Sequence, residues 1–352
     1  MSTKKRCRCS IVPPHLLDAL RRHPDPKVRK IAEATLFLTH AARVKRGILA
    51  QGARPPLPTG TLRRTIYDGA QGPHIRGNIL RSEGQPLADD RAANDAYDAS
   101  GDTYEFYRSV FGRVSVDGKG LRLDSTVHYR EDPEEPFDNA MWDGEEMLYG
   151  DGDGLIFGSF TKSLEVIGHE LTHGVTQYTA NLAYHDQPGA LNESMSDVFG
   201  TMVKQWKLNQ KVDQADWLIG SDLFLQKGLA LRSMKNPGEA YKDVPDLGSD
   251  PQPADMDGYV QLPNTRAGDN GGVHINSGIP NRAFYLTCMN LGATHSWEMP
   301  GQIWYAALTS RLTANSTFVD AANGTISAAR DVAGEGAASA VRAAWQEVRV
   351  LK

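Results

Sequence analysis

The sequence predicts an α+β protein with two lobes, the first rich in strands and the second mainly helical. Short runs that alternate apolar and polar side chains lie between residues 63 and 130, and they carry the β-branched and aromatic residues typical of strands. From residue 163 onwards, apolar residues recur at three- and four-residue steps, which is typical of helices. The length of 352 residues agrees with two domains. Strands followed by helices therefore favour the α+β class.

The individual elements follow from turn residues and from the spacing of apolar side chains. Strands are predicted over residues 63–68, 121–124 and 125–129. A first long helix is predicted over residues 92–111, where alanine and aromatic residues form an apolar face, and the glycine–aspartate run 150–154 predicts a turn. Further helices are predicted over residues 163–180, 190–206, 273–290, 301–312 and 336–348.

Composition excludes several classes of protein. Hydrophobic residues make up 40% and charged residues 23%, which is close to the globular average. The net charge of −5 indicates no nucleic acid partner, and no run of 18 apolar residues predicts a membrane span. Three cysteines, Cys7, Cys9 and Cys288, are too few for a disulfide framework in a chain of this length. We expect a monomer.

The first 50 residues are basic, whereas the whole chain is acidic. Helices are predicted over residues 15–22, after Pro13 and Pro14, and over about residues 26–49; a linker rich in proline and glycine follows at 52–60. Composition leaves open whether this part is a small helical hairpin or a removable pro-segment. Because no apolar stretch of 7–15 residues follows the basic start, we expect no secretory signal peptide. The expected location is cytoplasmic, or exported by a route that needs no signal.

The segment HELTH at residues 169–173 carries the strongest chemical signal. His169 and His173 are four residues apart, so a helix places both imidazoles on one face, where they can bind one metal ion. Glu170 cannot easily join the same coordination, but it can act as general base toward a water molecule at the ion. The alternative is a solvated helix with two surface histidines. Apolar residues at helical spacing predict one buried face: Leu164, Ile167, Leu171, Val175 and Tyr178.

A second helix offers a third metal ligand. Glu193 lies 20 residues after His173, and it would complete the two-histidine, one-glutamate set of a catalytic zinc. Asp197, one turn later, can accept the other N–H of a ligating histidine and orient that ring. The alternative is an ordinary pair of acidic residues on a solvated helix.

A third cluster places His274 after the glycine-rich turn 268–272. A protonated histidine near a metal ion can stabilise the oxyanion of a tetrahedral intermediate, and Asp269 can hold the imidazole and raise its pKa. A single histidine on a loop is also compatible with a structural role, and spacing alone does not decide between the two.

Together, the three segments resemble the thermolysin family of zinc metalloendopeptidases. The resemblance covers roughly residues 63–350 and includes HELTHGVTQYT at 169–179, GALNESMSDVFG at 189–200 and DNGGVHINSGIPN at 269–281. It implies a two-lobed fold with the zinc cleft between the lobes. It also implies a neutral endopeptidase with one catalytic Zn²⁺ and polypeptide substrates. The implied domains are a short helical propeptide at 1–50, a strand-rich lobe at 51–184 that includes the zinc-binding helix, and a helical lobe at 185–352.

The resemblance also assigns roles to residues. It implies His169, His173 and Glu193 as zinc ligands, Glu170 as general base, and His274, oriented by Asp269, as oxyanion donor. Tyr184 is implied as a second oxyanion donor, Arg232 as the residue that binds a substrate carbonyl, and Asn139, Ala140 and Trp142 as part of the edge strand that pairs with the substrate. Apolar residues implied to line the pocket after the scissile bond predict cleavage before bulky apolar side chains: Phe157, Phe160, Val166, Ile219, Leu223 and Leu231.

The chain departs from the family at the double calcium site. The positions that correspond to the family's calcium ligands are Glu165, Lys204, Asp216, Leu218 and Ser221, and three of these five lack a carboxylate. Calcium prefers six to eight oxygen ligands, so we expect no double calcium site and infer that the Lys204 charge replaces an ion. The run 151–154 does not begin an EF-hand loop, because Lys162 stands where glutamate is required.

The N-terminal part resembles the protealysin subgroup, whose precursors carry propeptides of about 50 residues. This implies a self-processing zymogen in which the propeptide inhibits its own enzyme. A thiolate of Cys7 or Cys9 can cap a zinc ion; steric blocking of the cleft without metal contact is an equal alternative. Two other classes are a catalytically silent binding module and a zinc-stabilised structural domain, but the sequence offers three ligands and a base rather than a closed four-ligand site.

Overall fold

A six-stranded mixed sheet forms the first lobe. The computed structural model describes residues 9–45 and 60–352, with side chains described for residues 10–37 and 60–352. The strand order is β1-β5-β6-β4-β2-β3; β4 runs parallel to β2 and to β6, and the other neighbours are antiparallel. The strands are β1 (Cys9–Ser10), β2 (Arg64–Gly72), β3 (Asn78–Ser82), β4 (Leu123–Tyr129), β5 (Ala140–Trp142) and β6 (Met147–Tyr149).

Helices make up most of the second lobe, where a two-stranded ribbon also pairs β7 (Leu218–Ile219) with β8 (Arg232–Ser233). The α+β architecture agrees with the fold predicted from the sequence. The helices are α1 (Pro14–Leu20), α2 (Pro26–Lys45), α3 (Arg91–Phe111), α4 (Leu164–Gln177), α5 (Asp186–Lys207), α6 (Asp269–Asn276), α7 (Gly278–Asn290), α8 (Met299–Ser310) and α9 (Phe318–Glu347).

The ends of the helices have local causes. Helix α3 begins where the Asp90 side chain accepts a hydrogen bond from the Ala93 amide, and it ends at Gly112 in the left-handed conformation. Helix α9 begins with a capping box, in which Thr317 and Asp320 each accept a hydrogen bond from the other's backbone amide. Each of these bonds satisfies a backbone group that the helix leaves without an internal partner.

Several predicted boundaries are wrong. The two strands predicted over 121–129 are one strand, β4, and the helix predicted over 273–290 is divided into α6 and α7. The helix predicted over 336–348 corresponds to the second part of α9, which follows a kink at Gly334 with φ of 82° and ψ of −173°; the helical part from Phe318 to this kink was not predicted. The N-terminal segment also contributes a strand, β1, that no alternation predicted.

The prediction that α4 has one buried face is also wrong. Every residue from Glu165 to Thr176 is buried, whereas Tyr178, expected on the buried face, is 43% exposed. The helix packs against α5, α3 and β5, so it has neighbours on all sides. A helix in such a position must bury its polar residues as well as its apolar ones, and those residues therefore need partners inside the protein.

Glycines allow α4 and α5 to approach closely. A Cβ atom on Gly168 would lie 3.2 Å from the Gly200 Cα atom, and one on Gly200 would lie 2.4 Å from the Glu165 backbone oxygen. Real Cβ atoms do not come within 2.4 Å of a non-bonded heavy atom, so only glycine fits at position 200, and the 3.2 Å distance at position 168 is also tight. The crossing holds the histidines of α4 next to the acidic residues of α5.

The N-terminal segment, which we define as residues 9–45, packs onto the rest of the chain. The side chains of Leu16, Leu17 and Leu20 on α1 are buried in the same hydrophobic cluster as the core of the two lobes. Lys30 on α2 forms an ion pair with Glu135. No helix within residues 9–45 and 60–352 is long and apolar enough to cross a membrane.

We predict that Gly200→Ala destabilises the protein, because the new methyl group would push α5 away from the Glu165 carbonyl. The expected loss is about 1–3 kcal/mol, the usual cost of overpacking, seen as a lower melting temperature in calorimetry. Gly336→Ala is the matched control, since a Cβ atom there meets no heavy atom within 4 Å and the residue is exposed in α9. An equal effect of both substitutions would contradict the close-approach argument.

Candidate active site

Two imidazoles and one carboxylate converge at the crossing of α4 and α5. The Nε2 atoms of His169 and His173 are 3.0 Å apart. The Glu193 carboxylate lies next to both rings, with Oε2 3.5 Å from His169 Nε2 and Oε1 3.5 Å from His173 Nε2. All three side chains are buried. The structure therefore brings together the three residues that the sequence predicts as zinc ligands.

Outer hydrogen bonds orient the two rings. His169 Nδ1 lies 2.8 Å from Asp197 Oδ1, and His173 Nδ1 lies 2.8 Å from Asn192 Oδ1 and 3.0 Å from Ser196 Oγ. Such bonds hold the hydrogen on Nδ1 and leave Nε2 as the atom that binds a metal. Burial lowers the pKa of His173 to about 3, so this ring is in the neutral state that metal binding requires.

The donor set fits a zinc ion. Glu193 Oε2 and Glu170 Oε1 are buried and accept no hydrogen bond. Burying a carboxylate oxygen that accepts no hydrogen bond destabilises the folded protein unless a cation compensates its charge. The ligand atoms of His169, Glu170 and His173 also lie within 4.8 Å of one another, as a metal site requires. Two imidazoles with one carboxylate form a typical catalytic zinc set.

Glu170 is held at the edge strand of the sheet. Its Oε2 atom accepts a hydrogen bond of 2.8 Å from the Trp142 amide, while Oε1 has no hydrogen-bond partner. Burial raises the pKa of Glu170 to about 8. A carboxyl group with a pKa near neutrality can both accept and return a proton, which is what a general base in hydrolysis must do.

His274 and Tyr184 lie on the other side of Glu193. His274 Nε2 is 3.6 Å from Glu193 Oε1 and 3.2 Å from the Tyr184 hydroxyl, which donates a short hydrogen bond to Glu193 Oε1. Asp269 accepts from His274 Nδ1 at 2.7 Å and from its backbone amide at 2.8 Å. Although burial disfavours the charged ring, Asp269 and Glu193 raise the pKa of His274.

The loop before His274 requires glycine. Asp269 and Asn270 have φ of 52° and 50°, and Gly271 and Gly272 follow with φ of 88° and 77°. Glycine adopts this left-handed region without steric cost, so Gly271 and Gly272 let the chain turn sharply within α6, directly before the residues that carry His274. The turn directs the Asp269 carboxylate back onto the His274 ring.

A buried arginine connects the metal-binding residues with the cleft. Arg232 on β8 donates from Nε and Nη2 to the two oxygens of Asp197, each at 2.8 Å. Asp197 also accepts from Asn281 Nδ2 at 2.8 Å, and although burial opposes it, Arg232 and His169 lower the pKa of Asp197 to about 2. The remaining guanidinium nitrogen, Nη1, donates to the backbone carbonyl of Ile11 at 3.1 Å.

The predicted edge strand is occupied by the chain's own N-terminal segment. Strand β1 pairs antiparallel with β5, placing Cys9 opposite Trp142 and Ser10 opposite Met141. The Ile11 amide donates to the Ala140 carbonyl at 3.2 Å, and the Val12 amide donates to Asn139 Oδ1 at 3.0 Å. The His274 ring lies 3.0 Å from the Ser10 carbonyl oxygen. The structure therefore places Asn139, Ala140, Trp142 and Arg232 around one extended backbone.

The apolar residues predicted to line a pocket are all buried, and they belong to the same hydrophobic cluster as Ile11. Ile11 itself is fully buried. The residues are Phe157, Phe160, Val166, Ile219, Leu223 and Leu231.

Sequence reasoning did not identify several residues that support the site. Asn192 and Ser196 orient His173, Asn281 binds Asp197, and Gln252 Nε2 donates to the His274 carbonyl at 2.7 Å. Asn192 and Ser196 are spaced one helical turn apart, as Glu193 and Asp197 are, and this parallel spacing is a signal that could have identified them. No sequence pattern connects Ser10 or Gln252 with His274.

Lys204 occupies the region of the expected calcium positions. Its Nζ atom lies 3.6 Å from Glu165 Oε1 and 3.2 Å from Asp216 Oδ2. The prediction that Cys7 or Cys9 caps the metal lies outside the described residues, since the Cys7 residue and the Cys9 side chain are not among them.

Comparisons with known proteins agree with this geometry. The catalytic domain of thermolysin metallopeptidases matches residues 59–177, and their α-helical domain matches residues 180–350. The chain is 46% identical to an extracellular metalloprotease of Pectobacterium carotovorum subsp. carotovorum, covering 99% of this chain and 98% of the relative. It is 41% identical to protease PrtS of Photorhabdus sp. (strain Az29), covering 97% and 91%.

A solved structure is also similar over the full length. The precursor of protealysin, a metalloproteinase from Serratia proteamaculans, superposes with a TM-score of 0.86 at 42% identity and covers 97% of this chain and 100% of that one. The two matched domains, the relatives and the solved precursor confirm the resemblance. The chain belongs to the thermolysin family of zinc metalloendopeptidases.

Proposed function

We propose that this metalloendopeptidase is made as a self-processing zymogen and cleaves peptide bonds before bulky apolar residues. The observation that carries the proposal is the position of the N-terminal segment, whose Ser10 carbonyl lies on His274 while its backbone pairs with β5. In this proposal residues 1–50 are the propeptide, residues 51–184 form the strand-rich lobe, and residues 185–352 form the helical lobe.

The catalytic roles follow from the positions of the side chains. His169, His173 and Glu193 hold the zinc ion, which when bound supplies a Lewis acid and lowers the pKa of a water molecule. Glu170 takes a proton from the attacking water and passes it to the leaving nitrogen. His274, with its ring oriented by Asp269, donates to the developing oxyanion from Nε2, and the nearby Tyr184 hydroxyl serves as a second donor.

Substrates are positioned by hydrogen bonds to their backbone. We propose that Asn139, Ala140 and Trp142 on the edge strand bind an extended peptide, and that Arg232 binds its carbonyl beyond the scissile bond. Asp197 holds both the Arg232 guanidinium and the His169 ring, so it orients a substrate contact and a zinc ligand together. The buried apolar cluster around Ile11 supports a preference for a bulky apolar side chain at this position.

The segment blocks the cleft because it uses the atoms that a substrate would use. Its backbone forms hydrogen bonds with the Ala140 carbonyl, the Asn139 side chain and the Arg232 guanidinium. The buried leucines of α1 anchor the segment to the core. This supports inhibition by steric occupation of the cleft. The similar protein from Pectobacterium carotovorum is an extracellular metalloprotease, so we also propose that the mature enzyme acts outside the cell.

We propose that Lys204 takes the place of calcium. Its ammonium group compensates the buried Glu165 carboxylate, whose pKa burial raises, and it also pairs with Asp216. A fixed cation at this point removes the need for a bound one, because the carboxylates already have a charge partner.

We predict that Glu170→Gln retains zinc but lowers kcat by about 10²–10⁴-fold, since the amide cannot accept the proton. Hydrolysis of a synthetic peptide by processed enzyme measures the rate, and atomic absorption measures the metal. Glu105→Gln, on α3, is the matched control, because the Glu105 side chain is 42% exposed and, among the described residues, pairs only with Arg108 on the same helix. A Glu170→Gln enzyme with unchanged kcat would refute the role of Glu170 as base.

We predict that inhibition by the segment weakens in mild acid. His15 on α1 lies with Nε2 3.0 Å from the Tyr241 hydroxyl, and its Nδ1 atom is buried without a partner. Burial lowers the His15 pKa to about 4, with Asp269 opposing this and His274 and Arg232 adding to it. Asp250, whose pKa is raised by burial, also interacts electrostatically with Tyr241.

The direction of this pH effect follows from the lower pKa of His15 in the docked segment. Protonation of His15 favours the undocked segment. The equilibrium constant for docking is therefore highest above pH 6.5 and decreases as the pH falls toward 4, by roughly 30-fold at pH 5. The measurement is the activity of the full chain relative to processed enzyme between pH 4 and 8. His15→Gln should remove this window, whereas His23→Gln, beside Asp246, should retain it. An unchanged profile in His15→Gln would contradict the assignment.

We predict that Lys204→Met lowers stability by about 3 kcal/mol, because it leaves the Glu165 carboxylate buried without its partner. The melting temperature of the unsubstituted chain should not differ between calcium and a calcium chelator. Lys207→Met, which removes a more exposed pair with Asp102, is the control and should have little effect. A large calcium-dependent rise in melting temperature of the unsubstituted chain would refute the replacement.

A further inference from the structure

One peptide group of the N-terminal segment, that between Ser10 and Ile11, is held at both ends in the cleft. Its oxygen, on Ser10, lies 3.0 Å from His274 Nε2, and its N–H, on Ile11, donates to the Ala140 carbonyl at 3.2 Å. The next peptide group is held as well, since Arg232 binds its carbonyl at 3.1 Å and Asn139 binds its N–H at 3.0 Å. Four hydrogen bonds therefore fix the register of the segment.

This register places the Ser10 carbonyl, and not the following one, among the reactive side chains. His274 Nε2, which contacts the Ser10 oxygen, lies 3.6 Å from Glu193 Oε1, and Glu193 is 3.5 Å from both histidines of α4. The Ile11 carbonyl points instead to Arg232. Glu170 approaches from the side of the edge strand, where its Oε2 atom binds the amide of Trp142, the residue paired with Cys9.

The surroundings of the bond are those of a bound substrate. The segment runs antiparallel to β5 at Cys9 and Ser10, and the chain bends at Ile11 and Val12, directly after the bond. Ile11, directly after the bond, is fully buried, and it belongs to the same hydrophobic core as the residues that the proposed function assigns to the specificity pocket. A segment that only filled the cleft would not need a carbonyl on the oxyanion donor with an apolar side chain directly after it.

We propose that the Ser10–Ile11 bond is a self-processing site, which the chain cuts within the same molecule. The inference rests on the proposed function, because it uses the same residues. Water adds its hydroxyl to the Ser10 carbonyl carbon, the bond to the Ile11 nitrogen breaks, and the proton taken by Glu170 goes to that nitrogen. The products are a carboxylate at Ser10 and an amino group at Ile11.

The cut leaves most of the inhibitor in place. Residues 1–10 separate, whereas Ile11 keeps its contacts with Ala140 and Arg232, and Leu16, Leu17 and Leu20 remain buried. The contacts made by the residues before the bond are lost, including the pairing of β1 with β5. Release from inhibition therefore has two stages, an early cut at Ser10–Ile11 and a later removal of the helices α1 and α2.

The test follows the mass of the full chain after zinc is added to protein purified in a chelator. We expect residues 1–10 and 11–352 to be the first products, with a rate constant that does not change over 100-fold dilution. Glu170→Gln should remain intact. A first cut elsewhere with Ser10–Ile11 intact, or a rate proportional to protein concentration, would overturn the proposal.

Substitutions at Ile11 test the register. Ile11→Asp should slow the cut by at least about 100-fold, because it would bury a charge. Ile11→Val should stay within about tenfold, because it removes one methylene group. Equal rates for the two variants would overturn the proposal.

Hydrogen exchange gives a readout that needs no activity. In Glu170→Gln the Ile11 and Val12 amides should exchange slowly, and Ile11→Asp in the same background should remove this protection. If the amides are protected and the unsubstituted enzyme hydrolyses an added peptide, but the Ser10–Ile11 bond stays intact, this inference fails and the proposed function stands. A chain that hydrolyses no peptide overturns both.

Discussion

The close crossing of α4 and α5 is the contact on which the site depends. Gly168 and Gly200 meet there, and a single methyl group at Gly200 would collide with the backbone of α4. Because the helices touch at this point, the histidines of one and the carboxylates of the other lie within 3.5 Å. The same contact buries α4 on all sides, so its polar residues must find partners within the protein.

Those partners form a buried chain of ionisable side chains. Glu193 lies against His169, His169 against Asp197, and Asp197 against Arg232, each within hydrogen-bond or ion-pair distance. A buried charge without a partner is costly, so every member depends on its neighbours. The Asp197 carboxylate contacts both the His169 ring and the Arg232 guanidinium, so this one group orients both side chains. It also explains why the oxygens of Glu193 and Glu170 that accept no hydrogen bond mark the place of a cation.

In the proposed function, inhibition and catalysis use the same atoms. The N-terminal segment is held by the edge strand, Arg232 and His274, which are the groups that the proposed function gives to a peptide substrate. An inhibitor built in this way gains its affinity from the site itself and needs little additional surface. In this proposal the segment can itself be cut by the site that it blocks, and the buried contact of His15 with Tyr241 is expected to weaken its docking in acid.

The sequence by itself determined the features that depend on local spacing. Residues four apart share a helix face, so the pairing of His169 with His173, and of Glu193 with Asp197, could be predicted without coordinates. Only the tertiary structure decided that the two helices cross at their glycines and that Arg232 binds Asp197. It also decided that Ser10 reaches His274, a residue 264 positions away in the chain. Such contacts join distant segments, and they depend on how whole elements pack rather than on any period within one of them.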